Sequence, residues 1–341
     1  MKRDFKRSIF LLCSLALIVL ICGILYYRMQ NIRYPFKFNE KEVSFDVKQR
    51  EKLEQVIDNL NSSKLIKNPS MLKWYIGRHF ENSTLKPGRY SFSKDISLND
   101  FVFYLKSGIK DNRPVKVIIP EGYDIEQVGS LLEKKGVISS SDFIKSCREY
   151  KLPDFVKKDP KRRYALEGYL FPDTYSLLKG SSGSHIIQVM LTRFSQVMDE
   201  IQKDTGKQIK SQNVDKIITM ASIVEKEVEK PEERGKAASV FYNRLNRNMK
   251  LQSCATVLYA LGVHKDKVYY KDLEVNSPYN TYKVDGLPEG PISNPGKECI
   301  IAAVNPDKTD YIYFVSKNDG THFFTNSSEK FLDVKKITQG E

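Results

Sequence analysis

No Walker loop, GxGxxG, GxSxG or HExxH occurs anywhere in this chain of 341 residues. That removes the commonest nucleotide-binding, dinucleotide-binding, serine-hydrolase and zinc-protease readings at the outset. Histidine is scarce: His79, His185, His264 and His322 stand far apart with no cysteine pair beside them, so the chain offers no metal-ligand spacing. Cysteine is equally thin. Of 5 cysteines, Cys13 and Cys22 fall in one apolar run, and Cys147, Cys254 and Cys299 follow at unrelated intervals. This excludes a disulfide framework and leaves at least one outer thiol unpaired. Negative charge is in deficit, with 42 acidic against 55 basic side chains and a formal net charge of +13. The lysines and arginines are scattered rather than gathered into a stripe, which argues against nucleic acid and suits an anionic envelope polymer or lipid surface.

What is present is a foldable, anchored chain. At 40% hydrophobic and 11% aromatic it can bury a sizeable core, and its length suggests two or three domains. Ser8 to Tyr27 is apolar throughout, including Leu11, Leu12, Leu17, Ile18, Val19, Leu20 and Ile21, long enough to cross a hydrocarbon core of about 30 Å as a helix. Lys2, Arg3, Lys6 and Arg7 precede it, so residues 1–7 are expected in the cytoplasm, 8–28 across the inner (cytoplasmic) membrane as a single pass, and the remainder outside. Tyr26, Tyr27 and Arg28 follow the run in place of a small-residue cleavage site, which favours an uncleaved anchor.

An internal repeat comes next. LEQVIDNLNSSKLIKNPSMLK from Leu53 and IEQVGSLLEKKGVISSSDFIK from Ile125 align without a gap, 72 residues apart. Each follows an apolar strand, Val43 to Val47 or Val115 to Ile119, and reads as helix, turn and helix. KPGRYSFS from Lys86 supplies a turn and a returning strand, and Leu98 to Leu105 a short helix before Gly108. The βααβ order resembles the LysM fold, which binds amino sugars; a spacer holding later residues off the membrane is the alternative. The expected class is α+β: the anchor, a LysM-like module over 34–113, and a larger α+β domain over 114–341 in which 114–150 is a second small repeat.

In the larger domain, Val214 to Glu229 reads as a helix ended by Pro231. With Glu227 at zero on a wheel of about 100° per residue, Met220, Ile223 and Val224 fall on its side, while Glu225 and Glu229 point away beside Ser222. Glu227 is therefore expected on the buried stripe and the other two on the surface. Burial raises a carboxyl pKa, as a general acid requires; a structural ion pair to a lysine or arginine is the plainer reading of the same pattern. Pro231, Glu232 and Glu233 open another helix. His185 to Lys203 is an amphipathic helix and Tyr311 to Val315 a strand. SPYNTY from Ser277 and GLPEGPISNPG from Gly286 are polar loops suited to a carbohydrate groove, with Tyr279 and Tyr282 offering rings to sugars.

These segments, with EGYLFPDTY at Glu167, ASIVEKE at Ala221, KAASVFYNRL after Glu233, LQS and TVLYALG from Leu251, and YIYFV and HFF near the end, together resemble the YceG/MltG-like endolytic murein transglycosylases. The resemblance runs from the anchor almost to the C-terminus. It implies an enzyme that cuts the β-1,4 bond between N-acetylmuramic acid and N-acetylglucosamine inside peptidoglycan strands without water, leaving 1,6-anhydromuramic ends and needing no cofactor. It makes Glu227 the acid/base and places Glu233, Arg244, Gln252, Thr256, Tyr259, Tyr279, Asn280 and Thr281 in the glycan groove, although Glu233 and Arg244 would equally form an internal ion pair. Peptidoglycan strands, the membrane and peptidoglycan synthases are the implied partners. The chain departs from the family where Cys254 and Ala255 replace an aspartate and a proline; Cys254 is expected as a small buried apolar residue. A silent wall-binding scaffold, or a muramidase-type hydrolase pairing Glu227 with Asp173 or Glu233, remains as an alternative.

Overall fold

A computed structural model describes residues 29–38, 42–80, 84–92, 94, 96–108, 114–263, 265 and 268–340. The expected span over 8–28 lies outside them, and among the described residues no helix is long and apolar enough to cross a membrane. The chain divides into two compact units at Pro114 and Val115.

In the first unit β1 (Val43–Val47) pairs antiparallel with β2 (Gly88–Phe92), setting Phe45 opposite Tyr90. Between them lie α1 (Leu53–Ser62) and α2 (Pro69–His79). Leu53, Val56, Ile57 and Leu60 recur at helical spacing and are all buried, so α1 turns one stripe inward. Asn68 caps α2 by accepting from the Met71 N–H at 3.3 Å, and Pro69 occupies the first turn, where its missing N–H goes unneeded. A third helix, α3 (Leu98–Ser107), stops at Gly108, whose φ of 75° a side chain would oppose. Phe36, Phe92 and Phe101 form the aromatic centre, with ring centroids 4.6 and 4.8 Å from Phe36.

The second unit opens with β3 (Val115–Ile118), α4 (Ile125–Lys134) and α5 (Ser140–Glu149), the second copy of the repeat. The second small repeat expected over 114–150, inside the larger domain, takes its pairing strand from later in the chain. The partner of β3 is β4 (Thr174–Leu177), and Val128, Leu132 and Phe143 join the same core as the later helices. There follow α6 (Gly183–Thr205), α7 (Ser211–Glu227), α8 (Pro231–Asn246), α9 (Cys254–Leu261), a 3-10 turn at Tyr270–Glu274 and α10 (Lys297–Val304). The hairpin β5 (Tyr313–Ser316) and β6 (His322–Thr325) and a last helix α11 (Ser328–Gln339) complete an α+β fold.

α7 is the central element, packed by α8, α9 and α10. The wheel expected an exposed face beside Ser222. Instead Ala221, Ser222, Ile223 and Val224 are all fully buried. The covering strand of chain is 290–296, buried throughout: the Ile292 N–H donates to Ser222 Oγ at 3.0 Å and Ser293 Oγ to the Ser222 carbonyl at 3.3 Å. A polar side chain can sit inward when its hydrogen bonds are met there. Glu225 is likewise half-buried, accepting from the Gly296 N–H at 2.9 Å, and of the two glutamates expected at the surface only Glu229 is exposed. The GLPEGPISNPG segment is thus largely a core clamp rather than groove wall. Gly168 of EGYLFPDTY fits beneath it because a Cβ there would meet Pro291 at 2.5 Å and because its φ is 86°.

Candidate active site

Glu227 is the last residue of α7, ahead of the expected end, where the chain turns to extended backbone at Val228. Its residue surface is half-buried, while its carboxyl is withdrawn from water against the start of α9. Ser253 stands at the N-cap of α9, yet its hydroxyl does not cap that helix. It donates to Glu227 Oε1 at 2.5 Å. The orientation of Ser253 is built by backbone: Gln252 holds φ at 53°, a left-handed value unusual for a residue with a side chain, and its N–H donates to the Thr281 carbonyl at 3.1 Å. The Ser253 N–H then reaches Thr281 Oγ1 at 3.0 Å, and Thr256 Oγ1 donates to the Ser253 carbonyl at 2.7 Å.

Burial pushes the Glu227 pKa up; the Ser253 hydroxyl, His322, the Ala255 N–H and Arg244 act the other way, in that order. Among the described residues the hydrogen bonds to Glu227 come from the Ser253 hydroxyl and the Ala255 N–H rather than from a lysine or arginine, against the plain ion-pair reading. Arg244 is almost fully buried and spends its donors on carbonyls, Nε to Ile312 at 2.7 Å and Nη1 to Leu251 at 2.9 Å, with its guanidinium over the Tyr313 ring. The expected Glu233–Arg244 pair is therefore absent. Glu233 instead accepts the His322 N–H at 3.0 Å through Oε1 and meets His322 Nδ1 at 2.7 Å through Oε2.

The other expected groove residues divide. Gln252 is exposed at the site, its Oε1 3.4 Å from Arg244 Nη1. Thr256 and Thr281 are fully buried and share a 2.8 Å hydroxyl contact, so they hold Ser253 rather than face a ligand. Asn280 is fully buried, its amide donating to the Leu273 and Val275 carbonyls at 2.8 Å each. Tyr259 and Tyr279 are also buried, packed together at 4.9 Å; Tyr259 donates to Glu167 Oε2 at 3.1 Å. Neither ring is open to a sugar. Tyr282, half-exposed, has its hydroxyl 3.1 Å from Cys254 Sγ. Cys254, expected buried, is exposed. The helix start presents its side chain outward, and the apolar face of α9 begins at Thr256 and Val257.

Ser253 and His322 were not among the expected site residues. Ser253 stands in the sequence only as part of the LQS motif, because nothing local reveals that its hydroxyl serves Glu227. Of the acids proposed as a second catalytic carboxylate, Asp173 accepts from Arg193 Nε at 2.7 Å on the β4 and α6 side, and Glu233 has both oxygens engaged by His322. A cleft of about 450 Å³ lined by Asp154, Phe155, Lys157, Ser211, Asp215 and Pro288 adjoins the start of α7, at the end opposite to Glu227.

The matching family model, described as the YceG-like family, covers residues 45–336. The chain is similar to the endolytic murein transglycosylase of Bacillus subtilis (strain 168), 34% identical over 331 residues that cover 93% of this chain and 91% of that one. It is similar also to the endolytic murein transglycosylase of Streptococcus pneumoniae serotype 2 (strain D39 / NCTC 7466), 31% identical over 325 residues, 86% of this chain but 58% of that longer protein. The crystal structure of a yceG-like protein from Listeria monocytogenes superposes with a TM-score of 0.57 at 34% identity, covering 87% of this chain and 100% of that one. With the match reaching from β1 into the last helix, the chain belongs to the YceG-like family.

Proposed function

We propose that this protein is an endolytic murein transglycosylase in which Glu227 alone supplies acid and base. The single observation that carries the proposal is the Glu227 carboxyl, withdrawn from water yet met by the Ser253 hydroxyl at 2.5 Å. Relatives with the endolytic murein transglycosylase name support the substrate, a peptidoglycan glycan strand.

The chemistry follows from opposed influences on one group. Burial favours the protonated acid, which gives its proton to the departing glycosidic oxygen as the bond from muramic acid C1 breaks. The donors around it favour the carboxylate that remains, and that carboxylate then takes the proton of the muramic acid C6 hydroxyl as O6 bonds to C1. One bond breaks, one forms, no water is consumed, and the product carries a 1,6-anhydro end. An internal nucleophile gains from effective molarity, so no second carboxylate is needed. A hydrolase would need a water-activating or nucleophilic partner; Glu233 and Asp173 are each committed elsewhere. A silent scaffold is disfavoured because such a role gives no reason for a buried carboxyl at a helix end.

In this reading Ser253 and the Glu233–His322 pair tune and position Glu227, Gln252 and Tyr282 meet the strand, and Thr256, Asn280 and Thr281 hold the loop. The apolar run at 8–27 anchors the chain in the cytoplasmic membrane with both units outside, the first unit serves as a LysM-like amino-sugar-binding module, and cutting terminates strands beside their synthases. The test is mass spectrometry of intact glycan strands incubated with the purified chain or with Glu227→Gln. Internal fragments with anhydro ends from the wild type alone are expected. Reducing ends would mean a hydrolase, and no cleavage by a folded protein would favour the scaffold.

A further inference from the structure

The first unit exposes two large hydrophobic side chains among its described residues, Met29 at 70% and Trp74 at 61%. Both border the place where the chain enters the unit. Residues 29–33 are helical and lead to Pro35, whose carbonyl accepts the Lys67 N–H at 2.8 Å; the Lys37 N–H donates to the Leu65 carbonyl at 2.8 Å, and Phe36 bridges Ile66. This pairing abuts the start of α2, and Trp74 follows Pro69 by about 7–8 Å along the helix axis. Ser70, Trp74 and Arg78 form the outer stripe of α2, while Leu72 and Ile76 face the core. The Arg78 guanidinium lies over the indole, 5.7 Å from its centroid.

Charge along the two segments that meet here is one-sided in sequence. Segments 29–38 and 64–79 carry six basic residues, Arg33, Lys37, Lys64, Lys67, Lys73 and Arg78, and no aspartate or glutamate. Lys73 is paired with Asp58 of α1, and Glu54 of α1 comes beside Gly77; an exposed indole carrying Arg78, with further cations along the same two segments, is the composition that settles at a lipid headgroup layer. The apolar run ends at Tyr27, and eight residues on to Pro35 span at most about 29 Å even if extended, less with 29–33 helical.

We propose that this face lies on the outer surface of the bilayer, with the Trp74 indole in the headgroup zone and the neighbouring lysines and arginines against anionic lipid phosphates. The inference rests on the single-span anchor proposed above. It makes the first unit a foot that fixes how the chain stands on the membrane, apart from any sugar it holds.

Trp74 is the one tryptophan in the sequence, so the fluorescence of the unmodified full chain reports this site alone. The full chain is placed in vesicles of phosphatidylethanolamine and phosphatidylglycerol, with or without acyl-brominated lipid, and floated on a density gradient. A floating chain whose Trp74 emission shifts to the blue, is quenched by brominated lipid and is shielded from iodide is the expected result, weakened in vesicles lacking phosphatidylglycerol and in Lys67→Ala with Arg78→Ala. A chain that floats with Trp74 unquenched and open to iodide would overturn the docking and leave the anchor standing. A chain that fails to float would overturn both. Shielding produced by soluble glycan strands, and not by lipid, would assign the face to the wall polymer instead.

Discussion

Glu167 and Glu227 are both carboxyls of the second unit taken out of water, and their surroundings differ in one respect that decides their use. Glu167 has no exposed surface and is enclosed by donors from three directions: the Ile125 N–H at 3.2 Å, the Tyr259 hydroxyl at 3.1 Å and the Asn294 amide at 3.4 Å. Burial and the nearby Asp124 push its pKa up to about 8. It ties α4, α9 and the 290–296 segment together, and nothing can reach it. Glu227 shares the raised pKa but ends a helix at the rim, beside exposed Gln252 and Cys254. A shifted pKa is thus a property of desolvation, and a candidate acid is a desolvated group with an open side.

The comparison breaks most sharply on activity. Glu227→Gln is expected to lower strand cleavage by about 10³-fold or more with the fold intact, whereas Glu167→Gln keeps cleavage near the wild-type level, measured as anhydro ends released. If both lost activity equally, the distinction would fall. The pH dependence of stability, by contrast, responds to both residues in the same direction. Glu167 has a folded pKa of about 8 against an ordinary 4.5. Between those values the folded chain keeps a proton that the unfolded chain releases, so its contribution is full below the lower pKa and declines as pH rises through the higher one. Urea midpoints across that range should fall with pH in the wild type, and Glu167→Gln should flatten the fall by on the order of 5 kcal/mol. Glu227→Gln flattens it too, since its shift has the same sign.

Ser253→Ala sharpens the account of Glu227 itself. Losing the leading donor that favours the carboxylate moves the alkaline limb of the kcat/KM profile upward and lowers kcat by about 10-fold, while an unchanged limb would mean that the serine serves only the loop. His322→Gln, acting through charge alone, is expected to shift that limb in the same direction with a loss of only about 2- to 5-fold. Cys254→Ala, at a residue outside the hydrogen bonds of Glu227, should change cleavage by less than about 2-fold.

Much of α7 could be read from spacing, since Met220, Ile223 and Val224 recur at helical intervals and Pro231 with its two acids announces α8. The local signal failed where partners come from far along the chain. Ser222 reads as a surface residue until Ile292 supplies a donor. The hydroxyls of Thr256 and Thr281 read as groove contacts until each is seen to satisfy the other. In SPYNTY, Tyr279, Asn280 and Thr281 all turn inward and Tyr282 reaches outward, because partners outside the motif, the Ser253 N–H and the Leu273 carbonyl, take up the Thr281 hydroxyl and the Asn280 amide, and the turn's own sequence does not show this. Glu233 was legible as a helix opener; that it would close on His322 depends on the β5–β6 hairpin and on no nearby residue.

The two copies of the repeat also differ in when they can be finished. β1, both helices and β2 lie within residues 43–92, so the first unit closes its sheet from a short, continuous stretch. The second copy must wait for Thr174–Leu177 to supply its missing strand, with α4 and α5 already made. In a chain delivered N-terminus first, the first unit can therefore stand complete while the second is still a set of unpaired pieces. The repeat works as a clock in which one copy is ready early and the other holds the catalytic half open until its later residues arrive.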